Sequence, residues 1–162
     1  MITQVVFLAI ALLALVGAVG VVVARSVFVS ALFLILSFVG VAGIYVLLGA
    51  PFLAGVQLLI YVGAVAVLII FAVMLTRNVM SEETPFLNRQ WGIGGFVAVT
   101  LFVLLALIGF LANWHISSAA PPQDAVSELG KALLSTYVLP FEVASVVLLV
   151  ALIGAIVIAR EE

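Results

Sequence analysis

The chain has no cysteine, a single histidine and few charges, with five basic and seven acidic side chains in 162 residues. Without cysteine it can form neither a disulfide nor a thiolate metal site, and it can hold no iron–sulfur cluster by itself. One histidine, His115, excludes a haem held by two histidines of this chain. Charged residues make up 7% of the sequence and hydrophobic ones 68%. Soluble domains average about 25% and about 45–50%. With a mean hydropathy of +1.56, a chain this short cannot bury its apolar surface internally, so lipid must be the solvent for most of it. The net charge of −2 is too small to point to nucleic acid.

The scarce charges punctuate the chain. Residues 1–24 have none, Arg25 follows, and residues 26–76 again have none. As one helix that second run would be about 75 Å long, against a hydrocarbon core of about 30 Å. It must fold back, and Gly49-Ala50-Pro51 is its only proline-containing breaker. Spans are expected at 2–24, 27–48, 52–76, 91–112 and 137–159, with polar loops at 77–90 and 113–136. The first stretch lacks a basic leader and is longer than a signal-peptide core of about 7–15 residues, so it is expected to be an uncleaved span, although small residues such as Ala24 near its end would allow a cleavage site. Trp91 and Trp114 stand where interfacial aromatics belong, and a short surface helix is expected around residues 123–135. The predicted architecture is all-α: one membrane domain, an integral bundle of five transmembrane helices.

Five spans place the termini on opposite sides. With the N-terminus outside and the C-terminus inside, Arg25, Arg77, Arg89 and Arg160 all fall on the inner side and only Lys131 outside, as the positive-inside tendency favours. Small residues let helix backbones approach in lipid. Ala151, Ala155 and Ala159 form such a row on the fifth span; Gly40 and Gly43 on the second, with Gly63, Ala64 and Ala66 on the third, do so less regularly.

Polar residues inside the spans are few. Glu142 lies near the start of the fifth span, just after Pro140. A carboxylate within a span usually faces a bundle interior or a water path. Near a helix start it can instead cap free N–H groups at the positive end of the dipole. On the residues alone the capping explanation stands slightly ahead of a proton relay. Gln57 and Tyr61, four apart, share one face of the third span and bring an amide and a phenol into an apolar helix. An interhelical hydrogen bond worth about 1 kcal/mol accounts for them without any function. Gly63 adds an allowance, since glycine eases an irregular turn and π-bulges within helices are often functional. Ser30, Ser37, Tyr45, Thr100 and Ser145 are isolated and are expected to bond their own backbone. No phosphate loop, metal-ligand spacing or nucleophile–base set is present; Gly92, Gly94 and Gly95 open a membrane helix and lack a nucleotide-binding context. No residue is assigned a catalytic role.

The stretch Ala50-Pro51-Phe52-Leu53 followed by Gln57, Tyr61-Val62-Gly63-Ala64 and Val67-Leu68 resembles the third helix of J-type subunits of respiratory complex I, the bacterial relatives of the sixth mitochondrially encoded subunit. Leu139-Pro140-Phe141-Glu142-Val143-Ala144-Ser145-Val146, with Ala151 to Ala155 beyond it, resembles the fifth helix of many bacterial members. Five spans, the long loop before the last and the chain length agree over essentially the whole sequence. The resemblance implies a multi-pass subunit of the cell (inner) membrane in a proton-translocating NADH:quinone oxidoreductase. It also implies neighbours in the membrane arm: the quinone-site subunit, a K-type subunit and antiporter-like subunits. NADH, FMN, iron–sulfur clusters and quinone are then handled by the complex, with no cofactor bound by this chain. In such subunits the third helix switches between π-bulged and regular α-helical states around the tyrosine–glycine stretch, here Tyr61 and Gly63, and this shifts the weight at Tyr61 towards function. Some relatives carry a glutamate in that helix; this chain has none between Phe52 and Thr76, so a relay there would draw its carboxylates from neighbouring subunits. Gating or proton-path candidates are therefore Tyr61, Gly63, Gln57 and Glu142. The rival readings are a J-like component of a multisubunit cation/proton antiporter, a scaffold in a membrane-bound hydrogenase, and a stand-alone small transporter.

Overall fold

A computed structural model of the chain describes residues 1–76, 91–112 and 124–160. Among these, every regular element is helical: α1 (Ile2–Val23), α2 (Val27–Leu47), α3 (Pro51–Val56), a π-helical segment (Gln57–Ala66), α4 (Val67–Leu75), α5 (Trp91–Leu111), α6 (Ala125–Leu133) and α7 (Val138–Ala159). α3, the π segment and α4 run on as one helix, Pro51–Leu75, and among the described residues five helices are long and apolar enough to cross a membrane. Their ends lie within one residue of the expected spans. The loop expected at 77–90, with Arg77 and Arg89, lies outside the described residues, as do Trp114 and His115.

The first reversal is set by local chemistry. Ala24 takes an extended conformation (φ −62°, ψ 132°) and stops α1. α2 ends in a glycine-dependent cap: Gly49 has φ +70°, the Gly49 N–H donates to Val46 O at 3.1 Å, and the Ala50 N–H donates to Tyr45 O at 2.9 Å. That pair of bonds is the Schellman pattern, which satisfies carbonyls the helix end would leave bare in lipid. Pro51 then opens the next helix at its first position, where its missing N–H costs nothing.

The chain divides into two compact units, Met1–Ser117 and Ser118–Glu162. In the first, α1 and α2 form a close antiparallel pair, and the third span packs on α2. The α1–α2 seam is built on small residues. A Cβ placed on Gly17 would lie 2.5 Å from the backbone N of Ser37, and one on Gly40 would lie 2.7 Å from the Cβ of Ala14. Gly43 faces Ile10 in the same way, and Gly20 faces the Phe33 ring. The partners pair in constant antiparallel register: 10 with 43, 14 with 40, 17 with 37, 20 with 33. Among the described residues the buried hydrophobic ones are all alanines, Ala31, Ala42, Ala54 and Ala66, as expected where close packing rather than water exclusion holds helices together. Gly40 and Gly43 thus stand at a helix contact as anticipated. α5 buries none of its described residues.

In the second unit α6 leads into α7 through a tight turn in which the Tyr137 N–H donates to Ala132 O at 2.9 Å and Ser135 Oγ donates to Lys131 O at 2.6 Å. Glu128 in the first turn of α6 and Lys131 in its last complement the helix dipole. The row Ala151, Ala155, Ala159 is exposed, with no helix of its own unit packed on it among the described residues.

Candidate functional site in the third span

The irregularity that the tyrosine–glycine stretch allows is present, and it is longer than one turn: Gln57–Ala66 is π-helical, with α-helix on either side. A π turn closes i→i+5 hydrogen bonds and so holds one residue more than an α turn. Nothing in the segment obstructs the wider winding. Gly63 is exposed, and a Cβ there would meet only the carbonyl oxygen of Leu58, five residues earlier, at an ordinary 3.4 Å. Glycine at 63 is therefore not required by crowding from another helix. Its contribution is backbone freedom within the turn.

Gln57 opens the segment and is 7% exposed, the one buried polar residue among those described. Among the described residues its side-chain amide has no hydrogen-bond partner, yet it is not sealed off, since no fully enclosed side-chain N or O is left unsatisfied. The amide keeps an accessible edge to which water or a polar group from a neighbour can bond. Tyr61 is 45% exposed. Its ring meets Phe38 of α2 edge-on, with centroids 5.4 Å apart and planes at 69°. Ala66, wholly buried, closes the segment. The third span therefore offers a buried amide, a half-exposed phenol and a π-helical backbone within ten residues.

Glu142 belongs to the second unit. The capping explanation fails there: α7 begins at Val138 with Tyr137 as its cap, no side chain caps it, and its first turn holds no acidic residue. Glu142 is the fifth residue, past the free N–H groups, because Pro140 sits third in the helix rather than at its start. Its carboxylate is exposed and has no partner among the described residues; its backbone carbonyl accepts a hydrogen bond from Ser145 Oγ at 2.7 Å. Thr100 likewise bonds back to its own helix, to Phe96 O at 2.8 Å, as expected of it and of Ser145, whereas Ser30, Ser37 and Tyr45, expected to do the same, show no side-chain hydrogen bond among the described residues. Thr76, outside that expectation, bonds to Ala72 O at 2.8 Å. Phe38 was not legible as a site residue, since no pattern in the sequence pairs it with Tyr61.

The family described as NADH-ubiquinone/plastoquinone oxidoreductase chain 6 matches residues 17–158. The chain is 41% identical over 149 residues to NAD(P)H-quinone oxidoreductase chain 6 of Leptolyngbya boryana, covering 90% of this chain and 74% of that protein. It is 41% identical over 160 residues to the chloroplastic NAD(P)H-quinone oxidoreductase subunit 6 of Marchantia polymorpha, covering 90% and 82%. It is 40% identical over 162 residues to F(420)H(2) dehydrogenase subunit J of Methanosarcina mazei, covering 97% and 90%.

Proposed function

The chain belongs to the NADH-ubiquinone/plastoquinone oxidoreductase chain 6 family, and on that premise we propose that it couples quinone reduction to proton translocation through rewinding of its third span. As a family member it is a membrane subunit of a multisubunit oxidoreductase. In this reading it performs no redox step: donor, flavin, iron–sulfur clusters and quinone are handled by other subunits. The similarity to an F(420)H(2) dehydrogenase subunit supports a membrane part that is indifferent to the donor. Family membership favours this role over the antiporter, hydrogenase-scaffold and stand-alone transporter readings.

One observation carries the proposal: the π-helical Gln57–Ala66 in mid-span. Converting one π turn to an α turn removes one residue from it, which at 3.6 residues per turn rotates the chain beyond by about 100°. Gln57 and Tyr61 would meet different neighbours in the two states, so a water path beside them opens in one and closes in the other. Those neighbours, in this reading, are the quinone-site, K-type and antiporter-like subunits, in a cell (inner) membrane with the N-terminus of this chain outside. Glu142, exposed within the fifth span, is left as a further carboxylate for that path.

The test is Tyr61→Phe and Gly63→Leu in the intact complex. Both should assemble at near-normal levels while coupled quinone reduction falls. For Tyr61→Phe, loss of one hydrogen bond sets the drop at about two- to tenfold. Wild-type rate and pumping stoichiometry in both variants would remove the gating reading.

A further inference from the structure

We infer that Phe38 of α2 is a positioning residue that latches the third span in its π-helical state by holding the ring of Tyr61. The inference rests on the gating reading above and adds the part of the chain against which the gate is held.

Three observations bear on it. The only ring–ring contact among the described residues joins Phe38 to Tyr61, edge to face, at 5.4 Å and 69°. Tyr61 sits inside the π segment rather than beside it, the fifth of its ten residues. Phe38 is fixed from the other side: Ser37 lies against Gly17, and Gly40 lies against Ala14, both so closely that not even a methyl group fits between the helices. Phe38 therefore rides on a stretch of α2 that is close-packed on α1 on both sides of it, which resists its following Tyr61.

Rewinding a π turn rotates the remainder of the helix by about 100°, and a residue in mid-segment takes part of that rotation. Tyr61 then leaves Phe38, so the ring contact exists in one state of the span and not in the other. An interaction present in only one of two states shifts their ratio by its full strength. For an edge-to-face aromatic pair, that is about two- to tenfold in favour of the π state. The effect is large enough to bias a switch and small enough not to jam it.

The experiment uses the intact oxidoreductase in lipid, imaged during turnover, with particles sorted by the winding of residues 57–66. Phe38→Leu, which keeps an apolar side chain but no ring, should lower the ratio of π to α particles about two- to tenfold. Phe38→Trp, which keeps a ring, should restore it. A ratio unchanged by Phe38→Leu, with both windings still populated, overturns the latch and leaves the gate standing. A segment that stays π-helical in every turnover state of the unaltered complex overturns the gate and the latch with it. Should Phe38→Leu fail to assemble, Phe38→Met, also apolar and without a ring, gives a second route read by the same π to α ratio, and a ratio it leaves unchanged overturns the latch.

Discussion

Gly17→Ala should separate the first two spans, and the structure sets the size of the effect. The added methyl would sit 2.5 Å from the Ser37 N, 2.8 Å from its Cα and 2.9 Å from its Cβ. Carbon contacts settle at about 3.5–4.0 Å, so the helices must part locally by about 1 Å. Two of the three atoms are backbone, and no side-chain rotation relieves them. A gap of about 0.5–1 Å forfeits a quarter to a half of each contact's attraction. It spreads along the seam to Ala14–Gly40 on one side and Gly20–Phe33 on the other. Overpacking of this kind costs about 1–3 kcal/mol, and in lipid no hydrophobic term between helices offsets it.

Gly40→Ala meets the same obstacle at Ala14, at 2.7–2.8 Å from that residue's Cβ, Cα and N. The two changes should not add. Once the helices have parted for one methyl, the other enters at reduced cost, so the double variant should fall short of the summed single effects by more than the roughly 0.3–0.5 kcal/mol scatter of independent sites. The assay exploits the missing cysteines: Val5→Cys and Val46→Cys, both on exposed positions of the pair, carry donor and acceptor dyes, and SDS titration in mixed micelles tracks their separation. Gly154→Ala, with nothing within 4 Å, is the control. If Gly17→Ala proves as harmless as the control, or if the two alanines add fully, the close-packed seam is not what holds these spans.

The helix ends give two further outcomes. Gly49→Ala should destabilise the turn between the second and third spans by about 1–2 kcal/mol, because an L side chain at φ +70° is strained whatever the space around it; an unchanged SDS midpoint would contradict the cap. Glu142→Gln should leave the stability of the chain in detergent within about 0.5 kcal/mol of wild type, since the carboxylate caps nothing and bonds to no described residue. A larger loss, read in an SDS titration with the dyes placed on α6 and α7, would restore the capping role that the position of α7 removes.

The membrane helices were legible because they depend on a property summed over some twenty residues. Charge-free runs and one Gly-Ala-Pro breaker locate helix ends to within a residue. The packing partners were legible only in part. Gly40 and Gly43 were anticipated at a helix contact, but Gly17 and Gly20, which oppose Ser37 and Phe33, carry no local mark distinguishing them from Gly154, which touches nothing. Which glycine faces a neighbour depends on register between helices, and register is not a property of either helix alone. The π segment lies between these cases. Its place is marked by the tyrosine–glycine stretch, but its ten residues reflect backbone bonding across several turns that no single residue reports. The capping explanation for Glu142 failed on helix geometry: with α7 starting two residues before Pro140, the carboxylate lies beyond the free N–H groups.

The arrangement also accounts for why a π segment suits a moving part in lipid. A helix in hydrocarbon cannot unwind, because each bare N–H or C=O costs several kcal/mol. Exchange between π and α winding avoids that cost, since carbonyls in both patterns find an N–H within the same helix. The exchange still needs a fixed reference, or rotation of the span would be absorbed by its neighbours. The α1–α2 pair, closed at Gly17 and Gly40, supplies it. α5, by contrast, buries nothing among its described residues, which fits a span whose contacts are made with other subunits of an oxidoreductase. Within the first unit, then, a close-packed helix pair and a span with a π-helical segment lie side by side, and the one aromatic contact between them among the described residues bears on that segment.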